Sequence, residues 1–100
     1  MEFEQLSTDY IDDYIAEAML ARETEWFHYN VDRQNFEDIR SALPVEEAAQ
    51  RADMERRIQE TVKQMAVVDS VYAALKRRIR SPDAHAAAIE RVRLKHATGD

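Results

Sequence analysis

Glu25-Trp26-Phe27-His28 is a Glu-x-x-His pattern, a spacing at which a helix can present a carboxylate and an imidazole to a metal ion. In a helix, residues three and four apart share a face, so Glu25 and His28 can point the same way as Asp32. Bundles that hold two iron ions present Glu and His at this spacing, but they use two such motifs and two further Glu. This chain has one motif, so a metal site would require a second copy. The candidate ligands are then Glu25, His28, Asp32, Glu17 and Glu60.

A polar patch in which Arg22 pairs with Glu25 is the other interpretation of this motif. We favour it, because one match is unremarkable in a chain with eleven Glu and three His. We therefore predict no metal ligand, no cofactor and no catalytic residue. The single Gly, at position 99, excludes a Gly-rich phosphate loop, and no Ser stands in a recognisable nucleophile motif. The acids also lack the spacing of the all-helical nucleotide pyrophosphatases, so the chain is predicted to be non-enzymatic.

Charge is distributed unevenly along the chain. Residues 1–60 hold 16 acidic and 6 basic side chains, whereas residues 61–100 hold 4 acidic and 8 basic ones. A basic segment of this kind can bind nucleic acid. We favour internal pairing instead, with Asp9, Asp12 and Asp13 of the first helix lying beside it. The nucleic-acid candidates are Lys76, Arg77, Arg78 and Arg80.

The composition favours long helices. Apolar residues make up 45% of the chain and charged residues 34%, with one Gly and two Pro, whereas a many-stranded fold needs frequent turns. The absence of Cys excludes disulfides and is compatible with a cytoplasmic location, in a bacterial or host cytosol. The first ten residues are acidic and lack an apolar run. We expect neither a signal peptide nor a membrane span.

The predicted fold is all-α. Ser7 or Thr8 can cap the first helix, Pro44 suits the first position of the second, and Ser81-Pro82 gives the same signal for a third. The three helices are predicted over about 9–42, 44–80 and 82–97, in one domain of residues 1–100.

This prediction rests on an apolar seam of the second helix. Its members recur at alternating steps of four and three, which is the a/d pattern of a helix that lies along a partner helix: Met54, Ile58, Thr61, Met65, Val68, Tyr72, Leu75 and Ile79. The first helix supplies the partner, through Ile11, Ile15, Ala18, Tyr29, Phe36, Ile39 and Leu43. We predict a long antiparallel, coiled-coil-like hairpin. A turn at Pro44 sets residue i level with about residue 87 minus i.

A second apolar stripe runs opposite the seam on each helix. A helix that is apolar on two sides is buried on two sides, and two helices alone cannot bury both. The third helix can cover part of this surface, and we expect a second copy to cover the rest. The prediction is a homodimeric helical bundle, with a further protein partner and no membrane. The expected interface consists of Ala16, Leu20, Trp26, Phe27, Val31, Val67, Val71 and Ala74.

Two segments resemble short helical proteins of bacteriophages and prophages that carry no assigned activity. The segment from Ala21 to Tyr29, ARETEWFHY, followed by Asn35-Phe36-Glu37, looks like a recurrent pattern in them. The segment from Met65 to Leu75 is similar to their downstream half. The resemblance implies a phage accessory protein. By analogy, such a product can inhibit a host defence complex by occupying a protein surface.

Overall fold

The computed structural model describes the backbone of residues 2–97 and the side chains of residues 10–97. These residues form three helices and no strand: α1 (Glu2–Ala42), α2 (Ala48–Lys76) and α3 (Pro82–Ala97). The predicted all-α class is confirmed. None of the helices in this part of the chain combines the length and the apolarity that crossing a membrane requires.

Three helix ends differ from the prediction. α1 begins at Glu2 instead of near Asp9, because no Gly or Pro precedes Pro44 and the added residues tolerate a helix. The side chains of the predicted caps Ser7 and Thr8, and that of Asp9, lie outside the described residues.

α2 begins at Ala48 instead of Pro44. The residues between α1 and α2 form a turn in which the amide of Glu47 donates to the carbonyl of Pro44 (3.0 Å). At its other end α2 stops at Lys76 instead of Arg80, and the amide of Ile79 donates to the carbonyl of Lys76 (3.2 Å), closing a tighter turn.

The chain divides into two compact units. The terminal unit combines Met1–Arg22 with Val71–Asp100, and the middle unit is Glu23–Ser70. The two long helices therefore contribute to both units, while α3 belongs to the terminal unit alone.

In the middle unit α1 and α2 run antiparallel. Arg40 bonds to the carboxylate of Glu55, and the guanidinium of Arg57 lies 5.9 Å from the centroid of the Phe36 ring. Residue i of α1 is thus level with about residue 94 minus i of α2. The predicted register of 87 minus i is wrong, because the turn occupies residues 43–47 instead of a sharp bend at Pro44. The difference is about seven residues, one heptad, so the same stripes still face each other.

An arginine of α2 closes the end of α1. Arg51 Nη1 donates to the carbonyls of Arg40 (2.9 Å) and Leu43 (2.8 Å). The last carbonyls of a helix lack partners within it, and a cationic side chain there also complements the helix dipole. Beside it, hydrogen bonds from Gln59 and then Arg40 lower the pKa of the Glu55 carboxyl.

The stripe of α2 that is shielded from solvent is the predicted seam. From Arg56 to Ile79, the residues that are not exposed are Ile58, Thr61, Met65, Val68, Tyr72, Leu75 and Ile79. On α1 the stripe differs from the prediction at Ile11 and Ile39. Ile11 is 46% exposed and Ile39 is 47% exposed, whereas the next residues, Asp12 and Arg40, are buried and partly covered.

In the terminal unit α3 packs on α1. Ala16 of α1 forms a buried cluster with Ala88 and Val92 of α3, and Leu20 packs against it. Asp13 of α1 pairs with Arg91 of α3, and Glu17 lies 3.4 Å from His96. Residue numbers therefore increase in the same direction along both helices, so α1 and α3 are parallel there.

The start of α3 follows the sequence signal. Ser81 Oγ accepts a hydrogen bond from the amide of Ala84 (3.3 Å), and Pro82 occupies the first helical position.

Ile58→Ala tests the seam. Ile58 is buried in the middle unit, and removing its outer carbons should lower the free energy of unfolding by roughly 2 to 5 kcal/mol. Urea unfolding measures the change. Val62→Ala, one turn along α2 on an exposed position, is the control and should stay within about 0.5 kcal/mol of the parent. Equal effects of the two substitutions would contradict the seam.

Arg51→Ala tests the closure of α1. Loss of both hydrogen bonds should lower the free energy of unfolding by about 1 to 2 kcal/mol. Arg51→Lys should not restore it, because the ammonium of the shorter Lys side chain ends one bond short of the Nη1 position from which both hydrogen bonds are donated. Arg56→Ala, which breaks only ion pairs within exposed α2, is the control and should cost less than about 0.5 kcal/mol. Full stability in Arg51→Lys would show that charge alone acts at this position.

Candidate functional site

The candidate metal ligands do not come together. Glu25 is partly covered and buries its Oε1 atom, whereas His28 and Asp32 are exposed on the middle unit. Glu60 accepts from Arg56 (3.1 Å), and Glu17 belongs to the terminal unit, beside His96. Among the described side chains, no three His, Asp or Glu residues are placed to hold a metal ion.

The basic candidates lie at the end of α2 and in the connection to α3. Arg80 Nη2 is 3.6 Å from Asp12 Oδ1, an internal pair that we expected. Asp13, expected to lie beside the same cluster, pairs with Arg91 of α3 instead. The other three basic candidates are exposed: Lys76, Arg77 and Arg78.

The predicted interface residues are divided by α3. Ala16 is fully buried and Leu20 packs beside it, both under α3. Phe27 is 60% exposed and Val71 is 38% exposed. The others range from partly covered Val31 to exposed Trp26, Val67 and Ala74.

Helix geometry explains this division. Each residue turns about 100° around the helix axis, so a residue just before a seam position lies on one flank and a residue just after it lies on the other. In two antiparallel right-handed helices, the "before" flanks of both lie on the same side of the pair. Ala16 and Leu20 follow the buried Ile15 and Met19, whereas Val71 precedes Tyr72. They lie on opposite sides of the terminal unit.

The same rule separates the predicted stripe in the middle unit. Between Arg22 and Tyr29 the partly covered residue is Glu25, so Phe27, two residues further on, points away from α2. Val67 is level with Phe27 in the observed register, but it directly precedes the buried Val68 and lies on a flank of α2. The predicted interface is therefore not one continuous face.

Sequence reasoning missed the most exposed aromatic side chains near the start of α1. Tyr10 is 69% exposed and Tyr14 is 61% exposed, and Ile11 beside them is also exposed. Ile11 was assigned to the seam, but the buried position there is Asp12. Tyr14 directly precedes Ile15, so it lies beside the seam and not in it. This spacing could have identified the exposed surface.

The chain was compared with families, curated proteins and solved structures. No family model matches it, no curated protein is significantly similar, and no solved structure matches it.

Ala88→Leu tests the cover that α3 provides. Ala88 and Ala16 are both fully buried in one cluster, so a larger side chain forces α3 away and should cost about 1 to 3 kcal/mol. Thermal unfolding and amide exchange of α3 measure this effect. The exposed neighbour Ala87 is the control, and Ala87→Leu should change stability by less than about 0.5 kcal/mol. Unchanged exchange in Ala88→Leu would mean that α3 does not pack on Ala16.

Proposed function

We propose that this chain is a non-enzymatic protein that acts through protein–protein contacts, and that it forms a homodimer. The observation that supports this proposal is the exposure of large aromatic side chains on helices whose own seams are already covered. Tyr10, Tyr14 and Phe27 each keep more than half of their surface in water. Exposed apolar patches on folded proteins are commonly binding sites for other proteins.

Magnitudes indicate that several of these side chains act together. Covering one large apolar side chain contributes roughly 1.5 to 3 kcal/mol, while association costs about 4 to 15 kcal/mol in lost freedom. One aromatic residue cannot sustain a complex. A face with two or three of them, and smaller apolar neighbours, can. We therefore picture the antiparallel hairpin of α1 and α2 pairing with a second hairpin in a dimeric bundle.

The proposed biological setting is that of a phage accessory protein in a bacterial cytosol, as the resemblance implies. The middle unit, residues 23–70, holds 11 acidic and 6 basic side chains. Such an excess favours a partner with a basic surface, because opposite charge speeds encounter and disfavours wrong partners. Inhibition of a host defence complex would then result from occupying such a surface.

Light scattering over a range of concentrations tests self-association. The parent should show twice the 11.7 kDa mass of one chain. Replacing Tyr10, Tyr14 and Phe27 by Ser together should shift it to the monomer with its helicity kept, since all three are exposed. Val45→Ser, at an exposed apolar residue of the turn, is the control and should remain dimeric. A parent that stays monomeric up to about 100 µM contradicts self-association.

A further inference from the structure

Three consecutive basic residues stand at the end of α2. Lys76 is the last residue of the helix, Arg77 and Arg78 follow it, and all three are exposed. The backbone continues as a tight turn, in which the amide of Arg77 donates to the carbonyl of Ala73 (3.1 Å) and the amide of Arg78 to that of Leu75 (2.9 Å). We call Lys76, Arg77 and Arg78 the basic turn. Its backbone is already ordered, so a ligand that binds there orders little more than side chains.

The acids of α1 that could neutralise the basic turn have other partners. Among residues 10–22, each carboxylate lies beside a different cation: Asp12 beside Arg80 (3.6 Å), Asp13 beside Arg91 (2.6 Å) and Glu17 beside His96 (3.4 Å). Two of these partners belong to α3. The internal pairing expected for the basic segment is therefore found at Arg80, while α3 engages the acids that could have paired with the basic turn.

The neighbouring sequence does not offset this charge. Residues 71–97 hold seven basic side chains and two acidic ones, Asp83 and Glu90. Asp83 lies in the first turn of α3, where a carboxylate complements the positive end of the helix dipole. Lys76 complements the negative end of the α2 dipole in the same way, but this effect is worth only about 0.3 to 1 kcal/mol. Arg77 and Arg78 lie beyond the helix, and the dipole does not account for them.

Charge density indicates which kind of anion the basic turn fits. Residues of a tight turn advance about 2 Å each, so its three cations leave the backbone within roughly 6 Å. Double-stranded DNA carries one negative charge per about 1.7 Å of its axis, and an arginine can bind a phosphate through two hydrogen bonds. A folded acidic protein would need an interface of about 800 Å² on each side, whereas non-specific DNA binding needs only phosphate contacts. An anionic membrane gains only about 1 kcal/mol from each basic residue near its surface.

We propose that the basic turn binds the phosphate backbone of duplex nucleic acid. Each of its cations replaces a counterion at a phosphate, and the release of those counterions drives binding. Phosphate contacts carry no sequence information, so the binding is independent of sequence. This function goes beyond the proposed protein–protein contacts. It depends on residues other than the exposed aromatic side chains that support those contacts.

Fluorescence anisotropy of a labelled DNA duplex of mixed sequence tests the proposal. Three phosphate contacts predict a slope of about −2.7 for the logarithm of the association constant against that of the salt concentration. The parent should therefore bind about 40-fold more weakly at 200 mM salt than at 50 mM. Arg77→Ala and Arg78→Ala should each weaken binding about 3-fold to 10-fold, and each should make the slope shallower by about 0.9, because one phosphate contact is lost.

Arg56→Ala is the matched control. It removes the same charge from the chain, at an exposed arginine of α2 that pairs with Asp53 and Glu60. It should change the dissociation constant less than about 2-fold and leave the slope unaltered. Vesicles of phosphatidylcholine with about 30% phosphatidylserine are the second probe, and they should bind more weakly than the duplex. Circular dichroism checks that each variant remains helical.

The outcomes separate this proposal from its alternatives. Duplex binding that depends on Arg77 and Arg78, but not on Arg56, supports it. A duplex that stays free at up to about 1 mM protein and 50 mM salt overturns it. An equal effect of Arg56→Ala also overturns it, because net charge alone would then explain the binding, and so do vesicles that bind more tightly than the duplex. Self-association is decided separately by light scattering.

Discussion

The arrangement of the helices follows from the packing of one narrow stripe on α2. Its members alternate at steps of four and three, and between Arg56 and Ile79 they are the residues withheld from solvent. A stripe that narrow can be covered by a single helix lying along it, which is the position α1 takes in the middle unit. The two flanks of α1 beside this stripe differ in the terminal unit. α3 covers one flank through Ala16, whereas most residues of the other flank are exposed.

The helical class and the α2 seam could be predicted from the sequence, whereas the register could not. A heptad repeat looks the same after a slip of seven residues, so a register of 87 minus i and one of 94 minus i bury the same α2 side chains. The turn decides between them. Pro44 suits both the first position of a helix and a turn, and the sequence carries no further signal at that point. The contacts of Arg51 with the end of α1 depend on the longer turn, and they connect residues 8 and 11 apart. Such a contact has no periodic signature.

The candidate surface was predicted in composition but not in arrangement. The sequence identifies apolar residues outside the seam, such as Leu20, Phe27 and Val71, and it places them along the helix axes. Their direction around the axes depends on which side of a seam position they occupy, and this requires the correct α1 seam. That seam was misassigned at Ile11 and Ile39, which looked apolar enough to be covered, while Arg40 and the carboxylate of Asp12 take the inner positions. Polar residues at inner positions are invisible to a search for apolar periodicity.

Those polar inner positions link the fold to its proposed association. The α1 stripe that faces α2 contains Arg33, which donates to Asn30 and Glu37 (both 2.8 Å), and Arg40, which donates to Glu55. The guanidinium of Arg40 connects α1 to α2, whereas that of Arg33 bonds only within α1, and neither adds much apolar burial. Among the described side chains, no large one is fully buried. A chain of 100 residues has few other places to bury apolar surface. In the proposed homodimer, covering tyrosines against a second copy would add stability that the core of one copy does not supply, and this would couple folding to association.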